Sequence, residues 1–285
     1  HVVYKYSSQN ISDAQIQSQI DVLTEDFRRT NADGGNTPSF FAGAAADAQI
    51  EFCLAVRDPS GNATNGITRT STTVTSFSAN DYVKSSSTGG KNAWPANQYL
   101  NIWVCNMSGG LLGYAQFPGG SASTDGVVIN YQYFGRGGSA LYPFNKGRTA
   151  THEVGHWLNL RHIWGDAYCG NDYVNDTPTQ QSSSSGCPSY PRTTCNSSDM
   201  FMNYMDYTDD ACMNMFSSGQ RDRMRALFTT GGPRANILNS QGCVPVGGGG
   251  YCASQGSDAS YEWIAGVNVA SIHNNTASNG GYADF

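Results

Sequence analysis

The sequence predicts an α/β (α+β) fold, a twisted mixed sheet of about five strands with helices packed on it. Three observations predict it. Short runs rich in Val, Ile, Tyr, Thr and Trp recur through the first 131 residues. Two of the stretches around them carry helix signals. Beyond residue 162 the chain becomes irregular and rich in Gly, Ser, Asp and Cys before a last helical stretch. These features predict an N-terminal lobe with a sheet, a backing helix and a second helix, then an irregular lobe ending in a helix.

Residues 2–6 read as the first strand. A helix follows, with Ser12 as N-cap, Gln15 completing a capping box, and Ile11 and Ile16 as a hydrophobic staple. Ile16, Ile20, Leu23 and Phe27 give it one apolar stripe that needs a sheet to cover. Residues 50–57 alternate as a strand does, and 66–75 are Thr-rich and β-prone. Residues 99–105 form the strongest strand, expected at the centre; 111–116 and 126–131 supply two more. The next helix is expected from about Asn145. The closing helix begins at Ser217, with Gln220 completing its capping box, and stops at Gly231-Gly232-Pro233. Residues 246–250, Val followed by four glycines, read as a linker. We therefore divide the chain into 1–246 (upper lobe 1–162, lower lobe 163–246) and 247–285, a linker with a piece too short for a β-sandwich of its own.

Composition narrows the function. Charged residues are 13% of the 285, against roughly 25% in a typical soluble protein. Net charge is −6 with no basic run, which argues against nucleic acid. No apolar stretch reaches the ~18 residues of a membrane span. The eight cysteines, without a C-x-x-C pair, argue for disulfides in an oxidising compartment, hence secretion, with buried free thiols as the alternative. Cys53 and Cys105 both fall in strand-like runs and either pair or pack; spacing does not decide. The chain starts at His1 as though a signal peptide, and a pro-segment behind it, had been removed.

Three of the five histidines lie in one window, His152-Glu153-Val-Gly-His156-Trp-Leu-Asn159-Leu-Arg-His162. Residues four apart share a helix face, so His152 and His156 grip one ion from the same side. A catalytic zinc usually takes three protein ligands and keeps a fourth position for water. His162 supplies the third only if the chain leaves the helix soon after His156 and turns back. Asn159 stands where a left-handed residue is needed, and Asn tolerates that conformation. Glu153 is better placed to touch a water than the metal, as a general base should be.

This window resembles the extended zinc motif H-E-x-x-H-x-x-G-x-x-H of the metzincin metallopeptidases, with Asn159 in place of the glycine. The longer text from Thr149 is similar to the pappalysin/cytophagalysin family. Asn203-Tyr204-Met205-Asp206-Tyr207 resembles the Met-turn of the same zincin fold, whose methionine floors the three histidines. The resemblance covers roughly residues 1–244. It implies a secreted, monomeric zinc endopeptidase, made as a zymogen and acting on protein or peptide substrates, with Zn²⁺ on His152, His156 and His162. Glu153 is then the base and Tyr207 the support for the oxyanion. The resemblance further implies disulfides Cys169–Cys195 and Cys187–Cys212. It implies Ca²⁺ on Asp172 and Thr177, in a loop where Asp166, Asp172 and Asp176 crowd together. It also implies substrate contacts at Tyr114 and Ala115, on an edge strand that pairs with the substrate main chain. Asp206, Asp209 and Asp210 follow Met205 where the pocket for the residue after the scissile bond usually forms, which suggests a preference for a basic residue there. Residues 251–285 resemble the truncated opening of a GEVED-type module, with Cys252 missing its partner and His273 at the surface.

Two other functions compete. One is a non-catalytic adhesion or binding module with a structural zinc; Glu153 and the lack of a fourth nearby ligand oppose it. The other is a zincin with a downstream Glu as third ligand, opposed by His162 and Met205.

Overall fold

The computed structural model describes residues 1–246 in full and, beyond them, the backbone of two short strands. Residues His1–Cys243 form one compact unit and Val244–Phe285 another. In the first, strands β1 (Val2–Tyr4), β2 (Arg69–Ser71), β3 (Ile102–Cys105), β4 (Gly113–Ala115) and β5 (Val127–Asn130) make a five-stranded sheet in the order β2-β1-β3-β5-β4. All neighbours are parallel except β4, which runs antiparallel to β5 at the edge. Strand β3 is central, as its sequence indicates. Buried on both faces, β3 and β5 read as nearly unbroken apolar runs.

The faces separate by alternation. Trp103, Cys105 and Val128 join Val3, Phe77, Val83 and Met107 on one side. Val104, Val127 and Ile129 face the main core, which includes Ile16, Ile20, Leu23 and Phe27 of α1 (Asp13–Phe27) and Ala150, Val154 and Trp157 of α3 (Arg148–Trp157). A single turn, α2 (Ser39–Ala42), lies between them in sequence.

Three helix ends show how side chains set boundaries. Ser12 accepts the Gln15 amide N–H at 3.2 Å. The return half of that expected capping box is not made, because the Gln15 side chain donates to the Phe134 carbonyl at 2.8 Å instead. Helix α3 starts at Arg148 rather than Asn145, since Gly147 takes a left-handed φ of 81° and turns the chain into the helix. Asp210 braces this start, accepting from Lys146 N, two residues before the helix, at 2.7 Å and from the first helical N–H, that of Arg148, at 3.2 Å. At the closing helix α4 (Ser218–Arg225), Ser217 and Gln220 complete the box in both directions.

Residues 50–57 are not a strand. They form a strap whose Ile50, Phe52 and Leu54 lean on the core. Its main chain is held by Val56 N to Gly242 O at 2.8 Å and by the Cys53–Cys243 disulfide. Half-burial of a strap produces the same alternation as half-burial of a strand. Cys53 and Cys105 therefore do not pair: Cys105 is a buried free thiol on the far sheet face, and burial pushes its pKa up to about 12. Disulfides Cys169–Cys195 and Cys187–Cys212 do form, in a lower lobe whose only strands are the two-residue pair β6 (Thr193–Thr194) and β7 (Ser197–Ser198).

In the second unit, β8 (Gly266–Val269) and β9 (Ile272–Asn275) form a hairpin. The glycine linker and Cys252 lie outside the described residues, as does the side chain of His273. Among the described residues no helix is long and apolar enough to cross a membrane.

Candidate metal centre

All ten residues of α3 are buried, so whatever chemistry the helix carries is carried inside the protein. The helix ends in a Schellman motif. Asn159 adopts φ 70°, its N–H bonds to His156 O at 2.9 Å, and the Leu160 N–H bonds back to Gly155 O at 2.9 Å. That reversal carries the chain to His162. The Nε2 atom of His156 then lies 3.0 Å from Nε2 of His152 and 3.1 Å from Nε2 of His162. Bonds of about 2.0–2.1 Å from a tetrahedral zinc would set its nitrogen ligands roughly 3.3 Å apart, so the spacing fits such an ion. Among the described residues this is the one group of three or more metal-binding side chains whose ligand atoms converge within 4.8 Å.

Each imidazole is oriented from behind. His152 Nδ1 lies 2.7 Å from Tyr204 O, His156 Nδ1 2.8 Å from Leu160 O, and His162 Nδ1 2.5 Å from Asp166 Oδ1. Carbonyl and carboxylate oxygens only accept, so each Nδ1 carries the proton and each Nε2 turns a lone pair inward. Burial, reinforced by the charges of the neighbouring rings, drives the His152 pKa well down. The same causes lower His156 to about 4. Both rings are neutral, as ligands must be.

Glu153 is buried beside this group, and loss of hydration pushes its carboxyl up to about 8. Its room comes from a residue the sequence reading overlooked: a Cβ on Gly113 of the edge strand would sit 2.9 Å from Glu153 Cγ. The only clue in the sequence was a glycine inside an otherwise apolar strand. Gly155 does the same on the floor, where a Cβ would sit 2.4 Å from Met205 Sδ. Met205 is fully buried, and its amide is held by Asn203 Oδ1 at 2.9 Å. Asn203 in turn pairs with Gln220 of α4. The Tyr204 hydroxyl donates to Asp26 of α1 at 2.8 Å, and Asp26 also accepts from Thr151 of α3. Tyr207 stands half exposed at the mouth, its ring 5.5 Å from His152 and 4.8 Å from His162; burial pushes its phenol up to about 12.

The ladder corrects the expectation for Tyr114. Asn130 N donates to Leu112 O and Gln116 N to Gly126 O, so even-numbered residues of β4 spend their main-chain groups on β5. The free edge is offered by Gly113 and Ala115. The Tyr114 ring packs on the far sheet face, under Lys84 at 4.9 Å.

The acidic loop disperses. Asp166 goes to His162, while Asp176 accepts from Ser217 Oγ and Gly219 N at the start of α4. Asp172 accepts from Thr177 Oγ1 at 2.7 Å and Val174 N at 3.0 Å. Past Met205, Asp206 is buried against Gln180 and the Ser184 N–H, and Asp210 caps α3. Of those three aspartates Asp209 alone keeps part of its surface.

The family model Peptidase_M43, described as pregnancy-associated plasma protein-A, matches residues 84–229. An extracellular metalloprotease of Pyricularia oryzae is 35% identical over 241 residues, covering 80% of this chain and 72% of that protein. Extracellular metalloprotease 1 of Coccidioides posadasii is 44% identical over 138 residues, but the match spans only 49% of its length. Among solved structures, mature mirolysin of Tannerella forsythia in complex with a cleaved peptide is 61% identical with a TM-score of 0.82, covering 83% of this chain and 92% of that one. A promirolysin mutant of the same organism is also 61% identical with a TM-score of 0.82, covering 83% of this chain and 81% of that one.

Proposed function

The chain belongs to the pregnancy-associated plasma protein-A family of peptidases and is a metalloendopeptidase of the extracellular kind; on that premise we propose that it cleaves proteins with zinc held by His152, His156 and His162. The observation that carries this reading is the convergence of three imidazole Nε2 atoms beside the buried Glu153 carboxyl group. An all-imidazole donor set with no fourth protein ligand suits zinc with an open position. Bound there, zinc would supply a Lewis acid for water and for the scissile carbonyl.

The protein residues do the rest. Glu153 takes the proton of the attacking water and hands it to the leaving amine. The Tyr207 phenol donates a hydrogen bond to the developing oxyanion. Met205 and Gly155 keep the floor apolar and the helix in place. Substrate lies as an added strand along β4, paired through the main chain of Gly113 and Ala115. Pairing through the main chain leaves sequence preference to the pockets, where Asp209 retains the suggested role of favouring a base. The protein acts as a monomer, and the promirolysin relative supports a latent precursor. Residues 1–246 are the catalytic domain, and 247–285 are separate from it.

Calcium is a second proposed cofactor. Asp172 Oδ2 and Thr177 Oγ1 lie 2.7 Å apart with the Val174 carbonyl beside them, an oxygen set suited to that ion. Calcium chelation at fixed zinc should lower the melting temperature.

Glu153→Gln tests the catalytic reading. It should keep one zinc per chain and lose about 10²–10⁴-fold in hydrolysis of an unfolded protein. Full turnover by that variant would remove the general base. Zinc binding by the parent chain with no cleavage of any denatured protein would favour a binding module.

A further inference from the structure

Two of the three ligand rings are oriented by main-chain carbonyls, which substitution at those positions leaves in place. The third is not. His162 Nδ1 bonds to a side chain, the Asp166 carboxylate, at 2.5 Å. We propose that Asp166 is the positioning residue of the third metal ligand, holding His162 in the tautomer and rotamer that aim Nε2 at the ion. This rests on the ligand set proposed above.

The local backbone is shaped for that contact. His162 to Asp166 spans a tight turn closed by Gly165 N to His162 O at 2.8 Å. Gly165 and Asp166 both lie in the left-handed region, at φ 63° and 56°. Glycine adopts that region freely, and aspartate is among the few other residues that enter it. A Cβ at Gly165 would strike Asn171 N at 2.3 Å, so the turn is packed against the following loop and cannot relax outward. Asp166 thus holds a left-handed conformation in which its carboxylate, still half exposed, faces the ligand.

Two choices about the ring are left for the carboxylate to settle. Trp164 stacks on His162 at 4.3 Å and 4°, and Tyr207 abuts it edge-on at 4.8 Å. These contacts fix the plane of the ring. They do not choose which nitrogen carries hydrogen, nor which edge faces the other imidazoles. A carboxylate on Nδ1 settles both, and its charge makes Nε2 a stronger donor. The loop is further tied by Cys169–Cys195, three residues beyond Asp166.

The test measures zinc affinity by competition with a chromophoric chelator, and the visible spectrum of the cobalt-substituted protein, for the full chain and for Asp166→Ala, Asp166→Asn, His162→Ala and the surface control Asp222→Ala. Asp166→Ala should bind zinc about 10–100-fold more weakly and alter the cobalt bands. Asp166→Asn, which keeps an acceptor but no charge, should fall between it and the parent. Asp222→Ala should match the parent in both. Parental affinity and spectrum in Asp166→Ala, with affinity lost in His162→Ala, overturn the positioning role alone. Parental affinity in His162→Ala overturns the ligand set and this proposal together. Should Asp166→Ala fail to fold, Asp166→Asn decides: weaker zinc binding supports the role, and parental affinity overturns it.

Discussion

At the scale of single residues, the site is set by what each side chain loses on burial. Glu153 illustrates this with a sign that is open to measurement. Its carboxyl has a pKa of 4.5 in the unfolded chain and about 8 in the fold, because burial strips its hydration. Between those values the metal-free fold keeps a proton that the unfolded chain releases. Its contribution to stability is therefore fully present below pH 4.5 and is lost as pH rises through 8. Glu153→Gln has no such proton, so the metal-free variant should gain on the metal-free parent as pH rises from 5 to 8.5. The gap in melting temperature should grow by roughly 5 °C or more; a constant gap would mean the carboxyl is hydrated in the fold. Gly113 offers a second measurement. A methyl placed 2.9 Å from Glu153 Cγ must displace the base or the strand. Gly113→Ala should therefore lower kcat on the order of 10²-fold while zinc content stays at one per chain. The sequence exposed Glu153 and the three histidines because their chemistry demands particular residue types at particular spacings. It hid Gly113, whose importance lies in what stands opposite it, it grouped Asp166 with Asp172 and Asp176 although its partner is His162, and it misassigned Tyr114 because ladder phase depends on the partner strand.

At the scale of elements, legibility followed how local the cause was. The Asn159 turn was readable because one residue must reverse the helix, and few residue types tolerate φ 70°. The closing-helix box at Ser217 and Gln220 was likewise local. The box at Ser12 was only half right, since Gln15 answers to Phe134, 119 residues away. The start of α3 depends on Asp210 from the other lobe, which no local pattern announces. The strap at 50–57 mimicked a strand because alternation reports half-burial, whatever the neighbour. Asn159 supports a measurement at this scale. Asn159→Gly should hold stability within about 0.5 kcal/mol of the parent, while Asn159→Ala should lose about 1 kcal/mol, the cost of a Cβ in the left-handed region. Urea midpoints of the two variants check it. Equal midpoints would place the stability of the turn in the Arg223 bond to the Asn159 carbonyl rather than in the backbone angle.

At the scale of the whole molecule, regular structure and covalent bonds divide the work. The upper lobe is held by a sheet with two apolar faces. The lower lobe has little regular structure; beside aromatic residues such as Phe201, Tyr204 and Phe216, it gives the shared core Met200, Met202, Met205, Met213 and Met215, side chains that fill irregular space without fixing it. There the overlapping Cys169–Cys195 and Cys187–Cys212 bonds limit the chain, spanning 26 and 25 residues. Cys53–Cys243 differs, spanning 190 residues and closing most of the first unit. If the disulfides act by restricting the unfolded chain, the long loop matters more for stability: about 5 kcal/mol for Cys53–Cys243 against about 3.5 kcal/mol for Cys169–Cys195 at 25 °C. Function should rank them the other way, because the shorter loop is tied off three residues beyond the turn that presents Asp166 to His162. Paired serine substitutions at 53 and 243 should give the larger drop in urea midpoint and leave kcat/KM near the parent value under conditions where the chain stays folded. Paired substitutions at 169 and 195 should give the smaller drop and the larger loss of zinc affinity. If the 169/195 variant is instead the less stable of the two, restriction of the unfolded chain is not what these bonds contribute, and the lower lobe owes its folded geometry to them directly.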